Sequence, residues 1–257
     1  MDELSQQLSE LNQVATQLYD YVEANAFRIT RRKLLILEIL LFVDKNINAV
    51  FKLLDSEPRY VDGAEMILRS VYDLSTTGDW IFKARKNTNL WRWIRDDRKT
   101  LHQQLNSLVN LMNANPKLAN KQYPLKMWQN RLQEVDKDLA NSSRKAGASV
   151  NDKTISTFNK AKSLGQKSQR NYHTVFWLFS TKTHASPAGL QDLITLNPLK
   201  LRRRDTVLPQ NEETHATMLM KTALLWYSAH VYNVAKYLNT PQQNEAHRLR
   251  DKQLGRS

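Results

Sequence analysis

Two pairs of side chains in this 257-residue chain have the types and spacing for chemistry. Arg69 and Asp73 stand four residues apart in RSVYD, and Ser180 and His184 stand four apart in FSTKTHASPAGL. Four-residue spacing puts both members of a pair on one helix face. A histidine changes charge near neutral pH, so His184 could move protons while Arg69 steadies an anion. The same residues also have plainer uses. Arg69 and Asp73 could form a salt bridge at the edge of a bundle, His184 could cap the carbonyls of its own helix, and Ser180 could bond back to the preceding turn. Ala185-Ser186-Pro187-Ala188-Gly189 stops the helix and leaves His184 in its last turn.

Three further arrangements bear on function. In RDDRKTLH, Arg95 and His102 are seven residues apart, which on an unbroken helix returns both to nearly the same face. Trp91-Arg92-Trp93-Ile94-Arg95 interleaves aromatic and basic side chains as a nucleic-acid surface does, although residues two apart on a helix point away from each other, so at least one tryptophan belongs to the core. Arg202, Arg203 and Arg204 are consecutive in a segment that reads as a loop, where they could meet phosphates together or simply be solvated. The six histidines are too scattered to read as one metal site, and the chain has no cysteine. No glycine-rich phosphate loop, HExxH or Gly-x-Ser-x-Gly motif is present, so neither a metal nor a cofactor is expected.

The elements that must hold these residues are helical. Six Gly and seven Pro in 257 residues offer few of the turns an all-β fold needs, and 41% hydrophobic with 25% charged residues is an ordinary globular composition. Apolar residues recur at three and four from Leu4 to Ala26. Thr30 is a candidate N-cap for Leu34–Leu54, a run apolar nearly all round that suits the centre of a bundle. A third helix starts near Arg59 with Met66, Ile67, Val71, Leu74 and Ile81 inward, and with Gly63 and Gly78 as weak points where a neighbour could approach closely or the axis could bend. Helices follow at Leu90–Met112, Pro124–Ser143, Asp152–Leu164 with Asp152 as cap, Ser168–His184 and Glu212–Leu238. The expectation is an all-α fold, a single helical bundle of seven or eight helices over residues 1–239. One long irregular crossing runs from Ser186 to Pro209, and residues 240–257 form a mobile polar tail.

A formal charge of +13 favours acidic partners such as RNA, DNA, an anionic surface or an acidic protein. The start MDELSQQLSELNQ lacks the basic and apolar regions of a secretory signal, and Leu34–Val43 is about ten residues against the ~20 of a membrane span. A cytoplasmic location without a membrane is therefore expected.

Two resemblances rest on these motifs. RSVYDLSTTGDWI followed by YHTVFWLFSTKTHASPAGL resembles a bacterial helical family of unknown function, marked by an Arg-x-x-x-(Glu or Asp) helix and a Tyr…Ser-x-x-x-His helix. The matching positions are Arg69, Asp73, Tyr172, Ser180 and His184, with Asp73 where Glu is commoner. The resemblance implies that the two motifs meet inside a bundle. RDDRKTLH is similar to the mark of the HEPN class of small helical ribonucleases and nucleotide-binding proteins of toxin and phage-defence systems, in which Arg and His act on RNA without metal; this implies roles for Arg95 and His102. The expected function is a soluble bacterial stress or phage-defence component that binds RNA or DNA through basic surfaces. The alternatives are a metal-independent ribonuclease toxin and a non-catalytic interaction scaffold, with a co-encoded protein partner or a homo-oligomer as further expectations.

Overall fold

The computed structural model describes residues 2–25, 30–57, 59–84, 86–118, 124–173, 194–197, 200–203 and 209–256. The helices in chain order are α1 (Asp2–Ala24), α2 (Arg31–Asp55), α3 (Val61–Lys83), α4 (Thr88–Ala114), α5 (Leu125–Ala146), α6 (Thr157–Leu164), α7 (residues 166–173), α8 (Pro209–Leu238) and α9 (Gln243–Gln253). The fold is all-α, as the composition and periodicity indicate. Its one β element among the described residues is an antiparallel hairpin of β1 (Ile194–Asn197) and β2 (Lys200–Arg203). The hairpin lies where an irregular crossing was expected. Ile194 pairs with Arg203 and Thr195 with Arg202, so these arginines sit in a strand register and not in an open loop.

The chain forms two compact units. One comprises residues 1–79 and 164–257, the other residues 80–163.

In the first unit the central helix is α8. No residue of α8 between 222 and 235 is exposed, because α1, α2, α3 and α9 all pack against it. The expectation that α2 would be central is corrected: α2 buries Ile36, Leu37, Ile39, Leu40, Val43, Ile47, Val50, Phe51 and Leu54, but leaves Leu34, Leu41 and Phe42 exposed. Its start follows the sequence, with Thr30 extended at the N-cap and its side chain accepting from the Lys33 amide at 3.3 Å. Against α2 lies α3. A β-carbon on Gly78 would stand 3.2 Å from Cδ1 of Ile36, so only glycine lets the two helices come this close without displacing Ile36. The inward face of α3 is Ala64, Leu68, Val71 and Tyr72, joined by Glu65, Thr76 and Thr77, whereas Met66 is 48% exposed. Polar network bonds fix the helix register: Tyr227 donates to Asp44 at 2.6 Å, Asn48 donates to the same carboxylate at 3.1 Å, and Asn12 donates to Asn48 at 3.0 Å.

The segment after Leu238, expected as a mobile tail, carries α9. Asn239 takes a left-handed conformation (φ 55°), which turns the chain back at the end of α8. Ala246 and Leu249 are then buried, and Gln253 and Lys252 reach Gln7 and Glu10 of α1.

The second unit is built on the α4/α5 hairpin with α6. Leu90, Leu105, Val109 and Met112 of α4 meet Val135, Leu139 and Ala146 of α5 in its core. Gly147 (φ 61°) ends α5 and directs the chain into the loop before α6. Ser156 caps α6 by accepting from the Asn159 amide at 3.3 Å. Asp152, the expected cap, instead closes a turn by accepting from the Ser149 amide at 2.9 Å.

Candidate functional site

The first candidate cluster lies on α3 in the first unit. Glu65, Arg69 and Asp73 follow one another at four-residue steps, about 6 Å apiece along the axis, and so form one polar line. At its start, His215 of α8 brings Nε2 to 2.9 Å from Oε1 of Glu65. Further along, Tyr172 of α7 enters the field of Asp73 and Arg69. Burial pushes its phenol up first, the Asp73 carboxylate pushes it further, and the Arg69 guanidinium pulls it back. The Tyr72 phenol, raised to about 12 mainly by burial, is eased by a hydrogen bond with Thr76 and pushed by Asp73 and Tyr172. It donates to the Ser168 carbonyl at 3.3 Å while its ring packs on Trp226. Thus α7 docks on α3 at the level of Asp73, and Arg69, Asp73 and Tyr172 share one neighbourhood. Ser180 and His184 lie outside the described residues.

This line joins acid, base and cation types. Imidazole against a nearly sealed carboxylate can hold or pass a proton, and a guanidinium one helical turn on can hold an anion. Glu65 and His215 escaped the sequence reading. The Glu-x-x-x-Arg-x-x-x-Asp ladder was visible as a pattern, but no local signal tied it to a histidine 150 residues away.

The second pair from the sequence, Arg95 and His102, is in α4 of the other unit, where the two side chains have separate tasks. Arg95 is 1% exposed. Its guanidinium donates to the carbonyls of Ser149 at 3.0 Å, Asp152 at 3.2 Å and Lys153 at 3.1 Å, and through Nε to Asp96 at 2.9 Å, with Nη2 on the same carboxylate. The other oxygen of Asp96 accepts from the Ile155 amide at 2.8 Å. All five guanidinium protons are thereby engaged, and Arg95 pins the α5–α6 loop with no donor left for a phosphate. His102 is 30% exposed, with Nε2 2.9 Å from Oδ1 of Asp136 on α5. Neither Trp91 nor Trp93 is a fully exposed platform, and Lys145 stands 4.2 Å over the Trp91 ring.

The second unit also holds most of the charge. Residues 80–163 carry 17 basic and six acidic residues, a net +11 of the chain's +13. On α5 the exposed residues Lys126, Asn130, Gln133, Lys137, Asn141 and Arg144 follow one helical ridge, flanked by Glu134, which is paired with Arg131. From Lys126 to Arg144 it runs about 27 Å. Arg202 and Arg203 belong to β2, and Arg204 lies outside the described residues.

Two further titratable groups, half-buried Asp79 and buried His230, complete the picture. Asp79 of α3 accepts both oxygens' bonds from Nδ2 of Asn233, at 3.1 and 3.0 Å, yet burial outweighs that bond and raises its carboxyl to about 7. His230 of α8 is 2% exposed, neither ring nitrogen has a hydrogen-bond partner, and burial lowers it to about 4. Among the described residues no group of three or more His, Asp or Glu could hold a metal ion, and no helix is long and apolar enough to cross a membrane.

No curated protein and no solved structure matches the chain. Residues 45–198, more than half of the chain and the span that holds Glu65, Arg69, Asp73, Arg95 and Tyr172, match the model of DUF5677, and the protein belongs to this family of unknown function.

Proposed function

We propose that the protein is a binding component that engages RNA or DNA through its basic unit, residues 80–163. The observation that carries this reading is the segregation of charge: that unit holds +11 of the net +13, leaving the rest of the chain close to neutral. Concentrated positive charge supplies the sequence-independent part of nucleic-acid affinity through release of condensed counterions. The α5 ridge supports it further, since lysine, arginine and amide side chains along about 27 Å can follow a phosphate backbone, and the flanking Glu134 is held by Arg131 at 2.8 Å. The expected outcome is binding of mixed-sequence single-stranded RNA or DNA at low salt, weakening steeply as salt is added. Absence of binding at low salt would remove this function and leave an interaction scaffold.

A second reading, a metal-independent ribonuclease, draws on the α3 line. There Arg69 and Asp73 share a neighbourhood with Tyr172, and Glu65 holds His215. Cleavage of labelled total RNA in EDTA, lost in His215→Ala and Arg69→Ala, is the result expected of it; intact RNA under those conditions excludes it. A role in stress or phage defence belongs to the same proposal. It predicts that the gene protects a culture against infection, which a plaque assay with and without the gene decides.

A further inference from the structure

The face of α2 that the bundle leaves uncovered has a self-complementary layout. Leu34 is 50% exposed and Leu41 and Phe42 are each 42% exposed, with Glu38 and Lys45 exposed among them. Helical spacing lines up Leu34, Glu38, Leu41 and Lys45, and Phe42 flanks that line. One exposed leucine on a surface needs no reason, but three large apolar side chains on one face of a helix mark a contact surface.

The order of the charges selects the occupant. Suppose a second α2 crosses the first in the antiparallel sense, with a two-fold axis midway between Leu41 and Phe42. Leu41 then faces Phe42 of the second copy, and Glu38 faces Lys45 of the second copy, each contact occurring twice by symmetry. Four apolar side chains form the centre and two ion pairs flank it, the common anatomy of an interface. A parallel arrangement would instead oppose Glu38 to Glu38 and Lys45 to Lys45. Farther out, Arg31 and Lys52 of opposite copies would approach as like charges, so the helices should cross at an angle instead of running side by side. Because the patch carries one acid and one base, it does not suit a polyanion.

We infer that this face of α2 binds a second copy of the same chain as an antiparallel, two-fold contact. The contact is small beside the ~20–30 residues per side of a standard interface, so the dimer is weak and forms with rising concentration. Sedimentation equilibrium of the full chain from about 1 to about 200 µM covers the range where such a contact forms. The wild type should pass from monomer to dimer, and Glu38→Lys and Lys45→Glu should each weaken association by at least about tenfold, since both ion pairs become repulsive. The double exchange E38K/K45E should return it to near the wild-type value. All three variants alter exposed positions, so unchanged melting temperatures confirm folding. A wild type that stays monomeric throughout, single reversals without effect, or a double exchange that does not restore association would overturn the assignment.

Discussion

Nε2 of His215 stands 2.9 Å from Oε1 of Glu65, and the carboxylate side chain is 4% exposed while the imidazole is 34% exposed. The contact joins the first turns of α8 to α3, one helical turn before Arg69. His215→Ala would leave the Glu65 carboxylate without this donor and should cost about 1–3 kcal/mol. Glu65→Gln keeps an oxygen that can accept from the ring and should cost clearly less. Urea denaturation of the two variants checks the order; equal losses would mean that the pair contributes nothing beyond packing.

Arg95 should behave as a structural clamp. Lysine has three donors and no planar fork, so Arg95→Lys cannot serve three carbonyls and Asp96 together. Lysine keeps the charge beside Asp96 but leaves buried carbonyls unpaired, so a loss of about 1–3 kcal/mol is expected. Hydrogen exchange should locate the damage, with faster exchange at the Ile155 amide and its neighbours. Unchanged protection there would show that the loop holds without the clamp.

How much of this could be read in advance depended on whether the cause was local. Thr30 as a cap, the end of α4 before Pro116 and the close approach at Gly78 follow from a few adjacent residues, and the structure agrees. The inward face of α3 was misplaced onto Met66 because Glu65, Thr76 and Thr77 occupy the buried side, which blurs the apolar period. The burial of Arg95 was hidden for another reason: its acceptors are carbonyls 54 to 58 residues away. A polar sequence such as QNEAHRLRDKQ reads as tail, yet Ala246 and Leu249 are buried, Arg250 lies over the Tyr232 ring, and Lys252 and Gln253 reach α1, contacts that only the folded bundle supplies. For the site, the Arg69–Asp73 spacing was legible, whereas the His215 contact required the tertiary fold.

Asp79 and His230 should impose opposite pH dependences on stability. The Asp79 carboxyl is raised from 3.8 to about 7, so between those values the folded state binds more protons than the unfolded state and stability falls as pH rises. His230 is lowered from 6.5 to about 4, so there the unfolded state binds more protons and stability falls as pH drops. Asp79→Asn keeps an acceptor for Asn233 and removes the penalty of a buried charge. It should therefore raise the melting temperature at pH 8, by an amount that shrinks toward pH 4. His230→Leu removes two unpartnered nitrogens and should stabilise the protein most near pH 4. Calorimetry of both variants from pH 4 to pH 8 tests this; parallel curves for variant and wild type would contradict it.

The most direct test of the nucleic-acid assignment is the salt dependence of binding to a labelled single-stranded RNA, compared between the wild type and a Lys126→Gln, Lys137→Gln, Arg144→Gln triple variant. Each lost phosphate contact should reduce the slope of log K against log salt by about 0.7, so the triple variant should be shallower by about 2, with an unchanged melting temperature. Binding with the wild-type slope in the triple variant, or no binding by the wild type at low salt, would contradict the assignment of residues 80–163 as the nucleic-acid surface.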